Sequence, residues 1–341
     1  MAGGPHYRLA SLTLTSRAQT PEAEASSNSR MKIVVAGGTG FLGAPLCGSW
    51  ADEGHEVLVL SRSLAPGQSQ HESGTGVPGV TRVGWSPADG GERLVPMLEG
   101  ASAVVNLAGE SIDGRRWSAA RKQAIRESRI TATRALVAAI GACTSPPAAL
   151  VSGSAIGYYG DRGSETIAED APPGDDFLAH VCAEWEQQAL AAARPGVRVA
   201  IVRTGIVLER AGGALPRMMT PFRFFAGGPL GSGRQYLSWI HRLDWIEMVR
   251  WAVESAAAAG PINATAPHPV TSREFAHALG RAMRRPAIAP GVPRFVLQLA
   301  VGEIADSLVT GQRVIPARAL AAGFHFRYPE IDIALRGILE V

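Results

Sequence analysis

The chain has 341 residues, of which 46% are hydrophobic, so it is long enough to form a large α/β domain with an appended lobe. Its formal net charge of +3 comes from interleaved acidic and basic residues, and no run of Lys or Arg predicts a nucleic-acid surface. No stretch approaches the ~20 consecutive apolar residues of a membrane-spanning helix. Cys47, Cys143 and Cys182 show neither CxxC nor metal-ligand spacing, so we expect no disulfide framework, no metal site and a reducing compartment such as the cytoplasm.

Residues 1–30 differ in composition from the rest of the chain. They are rich in Ser, Thr, Ala and Gly, and they lack hydrophobic periodicity. We therefore expect a disordered extension. Arg8 and Arg17, with several hydroxyl residues and no acid before Glu22, resemble part of an organelle transit peptide, so organelle targeting stays open as an alternative.

Apolar strands alternate with amphipathic helices along most of the sequence. The patterns predict strands at 31–38, 56–62, 80–85, 103–108, 150–154 and 197–208, and helices at 41–53, 118–140 and 177–193. A further predicted helix follows residues 239–244 and runs to about 258. Such alternation requires right-handed crossovers and gives a parallel sheet covered on both faces. We predict an α/β fold with a doubly wound parallel sheet (Rossmann fold) at 31–285 and a small carboxyl-terminal lobe at 286–337.

A glycine-rich turn joins the first predicted strand to the first predicted helix. It has the pattern GGxGxxG and consists of Gly37, Gly38, Thr39, Gly40, Phe41, Leu42 and Gly43. Glycine is needed where the backbone takes positive φ or approaches a pyrophosphate, and the N-terminus of the following helix offers N–H groups to phosphates. The position of the pattern between strand and helix favours a dinucleotide site over an ordinary tight turn.

The end of the second predicted strand bears on the choice between NAD and NADP. An Asp or Glu in this place would accept hydrogen bonds from the adenosine ribose. The sequence has Ser61 and Arg62 instead, and a guanidinium can pair with a 2′-phosphate while the hydroxyl adds a hydrogen bond. We therefore predict that the domain at 31–285 binds NADP; the alternative is that Arg62 is a solvated charge at a strand end.

A third candidate segment ends the strand predicted at 103–108. It consists of Asn106, Leu107, Ala108, Gly109 and Glu110. The carboxyl ends of parallel strands face the cofactor crevice, and small residues there allow the nicotinamide ribose to approach. Asn106 and Glu110 could equally be loop caps.

With these motifs in view, the chain resembles the atypical, extended-like short-chain dehydrogenase/reductases known as epimerase family proteins, with the older label cell-division inhibitor. The resemblance extends over about residues 31–337 and includes Glu127-Ser128-Arg129, Tyr158-Tyr159-Gly160, Glu184-Trp185-Glu186, Arg203-Thr204-Gly205 and the run from Gly311 to Pro316. It implies NADP contacts at Thr39 to Leu42, Ser61, Arg62, Leu107 and Ala108. It also implies a further cofactor contact at Arg129.

Ordinary members of the wider superfamily use a Tyr as general acid/base, a Lys four residues later and an upstream Ser. This chain has no YxxxK: Leu178 stands at the Tyr position and Cys182 at the Lys position. Ser154 lies at the upstream Ser position, and Tyr158 or Tyr159 could donate a proton in the same crevice. The alternative is a strand-end hydroxyl and two aromatics packed on the sheet.

A loop rich in Gly and Pro at about 211–239 interrupts the α/β alternation. It contains Arg217, Phe222, Arg223, Phe224, Arg234 and Trp239. Arginines with aromatics would suit a phosphorylated or planar ligand, so we predict an inserted substrate loop; the alternative is a loop that packs the lobe. We assign His241 and Asp244 to structure, since they precede or begin a helix.

Together, these features predict an NADP-dependent oxidoreductase or epimerase-like enzyme. Its substrate would be a nucleotide sugar or another small carbonyl or hydroxyl compound, by family analogy. The alternative is a non-catalytic NADP(H)-binding regulator, since the acid/base pair is missing. We expect no nucleic-acid or membrane partner, and a homodimer stays open.

Overall fold

An eight-stranded sheet forms the centre of the molecule in a computed structural model, which describes residues 30–71, 79–112, 117–288, 291 and 310–340. The described strands are β1 (Lys32–Ala36), β2 (Glu56–Ser61), β3 (Ser69–His71), β4 (Val80–Gly84), β5 (Ala103–Asn106), β6 (Ala149–Ala155), β7 (Thr166–Ile167), β8 (Arg198–Thr204), β9 (Ile206–Leu208), β10 (Tyr236–Leu237), β11 (Trp239–His241), β12 (Gly260–Ala264), β13 (Val270–Thr271) and β14 (Arg313–Val314). The sheet order is β12, β8, β6, β5, β1, β2, β4 and β3. All neighbours pair in parallel except β3, which is antiparallel to β4.

Helices cover both faces of this sheet. The described α-helices are α1 (Gly43–Asp52), α2 (Val95–Leu98), α3 (Ala119–Ala142), α4 (Phe177–Leu190), α5 (Leu215–Arg223), α6 (Arg242–Glu254), α7 (Ser272–Met283), α8 (Ala317–Ala321) and α9 (Ile331–Leu339). The side chains of β1 alternate between two cores: Ile33 and Val35 pack with α1 and α6, whereas Val34 and Ala36 pack with α3. Because side chains alternate along a strand, a strand that is apolar at every position must be covered on both sides. The predicted doubly wound parallel sheet is confirmed.

The strand predicted at 197–208 is divided in two. β8 pairs with β6 and β12 in the main sheet, but from Ile206 onward the chain pairs with β11 in a separate two-stranded parallel sheet. The N–H of Ile206 donates to the carbonyl oxygen of Ser238 at 2.9 Å, which commits the strand to this second partner. Apolar periodicity could not reveal the change of partner, because both segments are buried.

The segment predicted as a loop at 211–239 contains a helix and a short strand. Leu215, Met219 and Phe222 of α5 pack with Phe275 and Leu279 of α7 in a third hydrophobic cluster. This cluster also includes buried side chains of α9. The inserted segment therefore supports packing between the sheet domain and the carboxyl-terminal helix.

The predicted lobe at 286–337 is described only in part. Residues 289–290 and 292–309 lie outside the described residues, as do residues 1–29 of the predicted disordered extension. In the described portion, β14 pairs with β7, and α9 packs against α7. None of the helices in the described ranges is both long and apolar enough to cross a membrane.

Candidate functional site

A crevice of about 590 Å³ opens at the carboxyl ends of β1, β5, β6 and β8. The chain runs outward from β1 through β2 and β4 on one side, and it returns through β5 on the other, so the strand order reverses between β1 and β5. Ligands of open parallel sheets bind at such a switch point.

The glycine-rich turn forms one wall of the crevice. Gly37 has φ of 84°, and a Cβ there would lie 2.6 Å from the backbone oxygen of Leu107, so the turn and the end of β5 approach as closely as backbone allows. A Cβ on Gly43 would collide with the oxygen of Gly37. The result is a cradle in front of the first turn of α1, where backbone N–H groups bind phosphate.

Five residues of the predicted turn line the crevice, namely Gly37, Gly40, Phe41, Leu42 and Gly43. Gly38 and Thr39 belong to the same turn without being part of the crevice wall. The glycine cradle and the helix N-terminus, which no side chain caps, fit a pyrophosphate.

Ser61 and Arg62 lie at the carboxyl end of β2, next to β1 in the sheet. The Ser61 hydroxyl is buried and shares a hydrogen bond of 2.8 Å with the hydroxyl of Ser63. Arg62 is exposed and forms no ion pair with any residue of the described ranges. A guanidinium in this place is open to an incoming anion.

Asn106 is fully buried and serves as a loop cap. Its Nδ2 donates to Thr133 Oγ1 at 2.8 Å, and its Oδ1 accepts from the N–H of Ala108 at 3.2 Å. These bonds fix the chain as it leaves β5. The cap interpretation therefore accounts for Asn106, while Leu107 and Gly109 of the same segment line the crevice.

Glu110 and Arg129 meet behind this segment. Arg129 Nη1 donates to the backbone oxygens of Glu110 at 3.0 Å and Ile125 at 2.9 Å, and its guanidinium lies over the ring of Trp185 at 5.2 Å. Burial lowers the pKa of Arg129. Arg129 lines the crevice, whereas Glu110 is not one of the lining residues and accepts a hydrogen bond of 2.8 Å from Arg121. A cofactor contact at Arg129 stays a prediction.

Leu178 and Cys182 of α4 both line the crevice opposite the glycine turn, together with Ser154 at the end of β6. This is the placement expected from the sequence register. Burial raises the pKa of the Cys182 thiol to about 11, so the thiol is neutral at pH 7. The Ser154 hydroxyl donates to Glu186 Oε1 at 2.7 Å. None of these three side chains offers a group that exchanges protons near neutral pH.

The structure places the two tyrosines away from the crevice. Tyr159 is fully buried; its hydroxyl donates to Asn263 Oδ1 at 2.7 Å and accepts from Arg203 Nη1 at 2.8 Å. Burial raises the pKa of Tyr159 to about 12. The Tyr158 ring lies under the guanidinium of Arg203 at 3.5 Å. Neither ring lines the crevice, because the turn after β6 directs both toward β8; the structure agrees with the alternative of two aromatics packed on the sheet.

A buried ion pair beneath Ser154 was not predicted. Arg203 donates through Nε and Nη2 to the two oxygens of Glu186 at 2.9 and 2.8 Å, and both side chains are nearly inaccessible to solvent. Burial alone would lower the pKa of Arg203, but the bonds to Glu186 raise it. The sequence contains a signal for this pair, since one arginine inside the apolar strand 198–204 requires a buried acceptor.

The segment 211–239 contributes Tyr236, Leu237 and Ser238 to the crevice. Of the residues predicted there, Phe222 and Trp239 are buried in the third cluster, and the other four are exposed outside the crevice: Arg217, Arg223, Phe224 and Arg234. The lobe-packing alternative thus describes Phe222 and Trp239. The sequence does not reveal these lining residues, because their residue types are ordinary and only their neighbours in the folded structure place them in the crevice.

His241 and Asp244 have structural roles, as assigned. His241 Nδ1 accepts from the N–H of Leu243 at 3.1 Å and its ring stacks on Tyr328 at 3.8 Å. The carboxylate of Asp244 accepts from the backbone N–H groups of Arg327 and Tyr328 at 2.8 and 2.9 Å. Both residues therefore attach the carboxyl-terminal segment to α6.

The fold and the crevice define the class: a doubly wound α/β protein with a dinucleotide cradle. The family model for the NAD dependent epimerase/dehydratase family matches residues 33–264, and the model called Domain of unknown function (DUF1731) matches residues 292–338. The chain belongs to the NAD-dependent epimerase/dehydratase family, as an atypical short-chain dehydrogenase/reductase of the epimerase family proteins.

Similar proteins occur in bacteria, plants and mammals. The chain is 39% identical over 311 residues to epimerase family protein YfhF of Bacillus subtilis, covering 91% of this chain and 98% of that one. It is 40% identical to a chloroplastic homologue of epimerase family protein SDR39U1 from Arabidopsis thaliana, with 92% and 88% covered. The crystal structure of human epimerase family protein SDR39U1 (isoform 2) with NADPH superposes with a TM-score of 0.79 at 36% identity, covering 91% of this chain and 99% of that one.

Proposed function

We propose that this protein binds NADP(H) in the crevice and acts as an NADPH-dependent reductase of a small carbonyl compound. The observation that supports NADP(H) binding is the cradle of Gly37 and Gly43 in front of α1, with Arg62 at the end of the neighbouring strand. The phosphates would bind at the first turn of α1, and the 2′-phosphate would pair with Arg62. The NADPH in the human relative's structure supports this choice.

The cofactor would supply a hydride. The side chains opposite the glycine turn, in the substrate half of the crevice, decide whether protons can also be transferred there. Oxidation of an alcohol, the first step of a sugar epimerase, requires a base that removes the hydroxyl proton near pH 7. Leu178 has no such group, and the Cys182 thiol is neutral with a pKa of about 11. Reduction of a carbonyl by hydride leaves an alkoxide, which is basic enough to take its proton from water and release hydroxide, whereas an epimerase must also run the oxidation. This favours a reductase over an epimerase.

The competing candidate is an NADP(H)-binding regulator without turnover, and the same two residues favour it. Incubation with NADPH and a panel of carbonyls, quinones and sugar nucleotides separates the two, with loss of NADPH absorbance as the readout. Oxidation of NADPH with any carbonyl supports the reductase. Tight NADPH binding without turnover on the whole panel supports the regulator.

The cofactor assignment is tested by calorimetry with NADPH and NADH. Arg62→Asp removes a charge-assisted contact worth about 1.5–3 kcal/mol, so we expect NADPH to bind roughly 10- to 100-fold more weakly, with NADH little changed. Arg273→Asp alters another exposed arginine, outside the crevice, and should change neither affinity. Equal losses for both nucleotides in Arg62→Asp would contradict the assignment.

A further inference from the structure

The substrate half of the crevice has apolar walls. Six side chains from four segments of the chain form them, three of them on α4: Ile112, Ile156, Leu178, Val181, Trp185 and Leu237. Burying apolar surface against such walls is favourable, whereas hydroxyl groups placed there lose their hydrogen bonds to water.

Two polar side chains on the described walls, those of Ser154 and Asp176, are already bonded within the protein. The Ser154 hydroxyl donates a hydrogen bond to Glu186 Oε1 at 2.7 Å. Asp176 caps α4, accepting from the N–H of Ala179 at 2.8 Å. Neither of these two side chains offers a free hydrogen-bond donor to a ligand rich in hydroxyl groups.

The same holds where the carboxyl-terminal segment closes the crevice. The Ser238 hydroxyl donates to the backbone oxygen of Gln312 at 2.6 Å and accepts from the N–H of Val314 at 2.8 Å. Gln312 itself donates its side-chain amide to the oxygen of Gly160 at 2.7 Å. These bonds attach the segment to the sheet domain, and breaking them for a ligand would be costly.

The charges on the described walls also disfavour a phosphorylated substrate. Arg129 is the only cation among the described residues that line the crevice, and Asp176 adds a carboxylate. Arg129 Nη1 is bonded to two backbone oxygens. Arg217, Arg223 and Arg234 are exposed outside the crevice. On the walls that the structure describes, a diphosphate bound beside the cofactor would meet little compensating positive charge.

We propose that the substrate half of the crevice binds an uncharged, apolar or aromatic carbonyl compound and not a sugar nucleotide. This substrate class rests on the proposed function, because the ligand must sit beside the bound cofactor. Leu178 then has a positive role: it provides an apolar contact at the position where ordinary members of the superfamily have a polar acid/base.

The test measures binding to the full chain saturated with NADP⁺, which cannot reduce the ligand. The probes are acetonaphthone, a neutral aromatic ketone, and UDP-glucose, both by calorimetry. We expect the ketone to bind and UDP-glucose to bind at least tenfold more weakly. Failure to detect ketone binding, or stronger binding of UDP-glucose, would overturn the substrate class. NADPH is titrated first. If NADPH binds and the ketone does not, the substrate class fails while the proposed cofactor binding stands.

A variant at the wall locates the binding. Leu178→Gln keeps the size of the side chain and adds an amide that the ketone cannot satisfy, so its affinity should fall roughly tenfold while that for NADPH stays constant. Leu190→Gln, at the exposed end of the same helix, is the matched control and should bind the ketone like the wild type. Equal ketone affinity in Leu178→Gln and Leu190→Gln would contradict the proposed location.

Discussion

Removing Arg203 should destabilise the fold strongly. The Arg203→Met variant keeps an unbranched apolar chain but removes both hydrogen bonds to Glu186, the one to Tyr159 and the stacking on Tyr158. Glu186 would keep only the hydrogen bond from Ser154. A buried charge without its partner costs about 3–5 kcal/mol.

The double variant Arg203→Met/Glu186→Gln separates charge from packing. Glutamine at 186 still accepts the hydrogen bond from Ser154, and no buried charge is left over. We expect it to recover about 2 kcal/mol relative to Arg203→Met, because the penalty for an unpaired carboxylate is removed.

Thermal unfolding followed by circular dichroism measures both effects. A chain of this size loses about 2 °C of Tm for each kcal/mol, so Arg203→Met should lower Tm by about 6–10 °C. Arg134→Met, which removes an exposed arginine bonded to Gln188, should shift Tm by no more than about 1 °C. A double variant no more stable than Arg203→Met would refute the reasoning from unpaired charge.

Two further predictions concern the cradle and the carboxyl-terminal attachment. Gly37→Ala and Gly54→Ala both place alanine at positive φ, which costs about 1–2 kcal/mol of stability. Only the alanine at 37 would also collide with Leu107. Gly37→Ala should therefore lose a further ~1–3 kcal/mol of unfolding free energy, measured in urea, and most of its affinity for NADPH. Burial lowers the pKa of His241 from 6.5 to about 4, so the unfolded chain takes up the proton first and stability falls as pH drops from 6.5 toward 4. The loss reaches about 3 kcal/mol by pH 4. His241→Asn, which gives up the stacking on Tyr328 but cannot titrate, should lack this component; an unchanged pH dependence would exclude it.

The sequence predicted the elements whose signal is local. The strand, glycine turn and helix at 32–52 are marked by consecutive residues, and so is the position of Arg62 at the end of the next strand. The register of Leu178 and Cys182 was also accessible, because helix α4 is continuous and its cap at Asp176 is a recognisable residue type.

The features that escaped prediction depend on pairing between distant residues. Glu186 and Arg203 are separated by a helix end and a strand, and nothing in either segment identifies the partner. The division of strand 197–208 depends on Ser238, which is far away in sequence. Tyr159 was expected in the crevice because the residue type suits proton transfer, but its surroundings, and not its type, decide where the ring points.

Ser154 illustrates how a residue type can suggest chemistry that its bonds do not support. Its hydroxyl ends a chain of buried hydrogen bonds that continues through Glu186, Arg203 and Tyr159 to Asn263. The side-chain amide of Asn263 in turn donates to the backbone oxygen of residue 315 at 3.0 Å, which belongs to the carboxyl-terminal segment. A serine whose proton is committed to a paired carboxylate presents only lone pairs to a ligand, so it can accept a hydrogen bond there but does not polarise a carbonyl oxygen. The network that attaches the carboxyl-terminal segment thus determines that Ser154 can accept but not donate a hydrogen bond in the crevice. This agrees with the proposed carbonyl reduction, in which the proton comes from water.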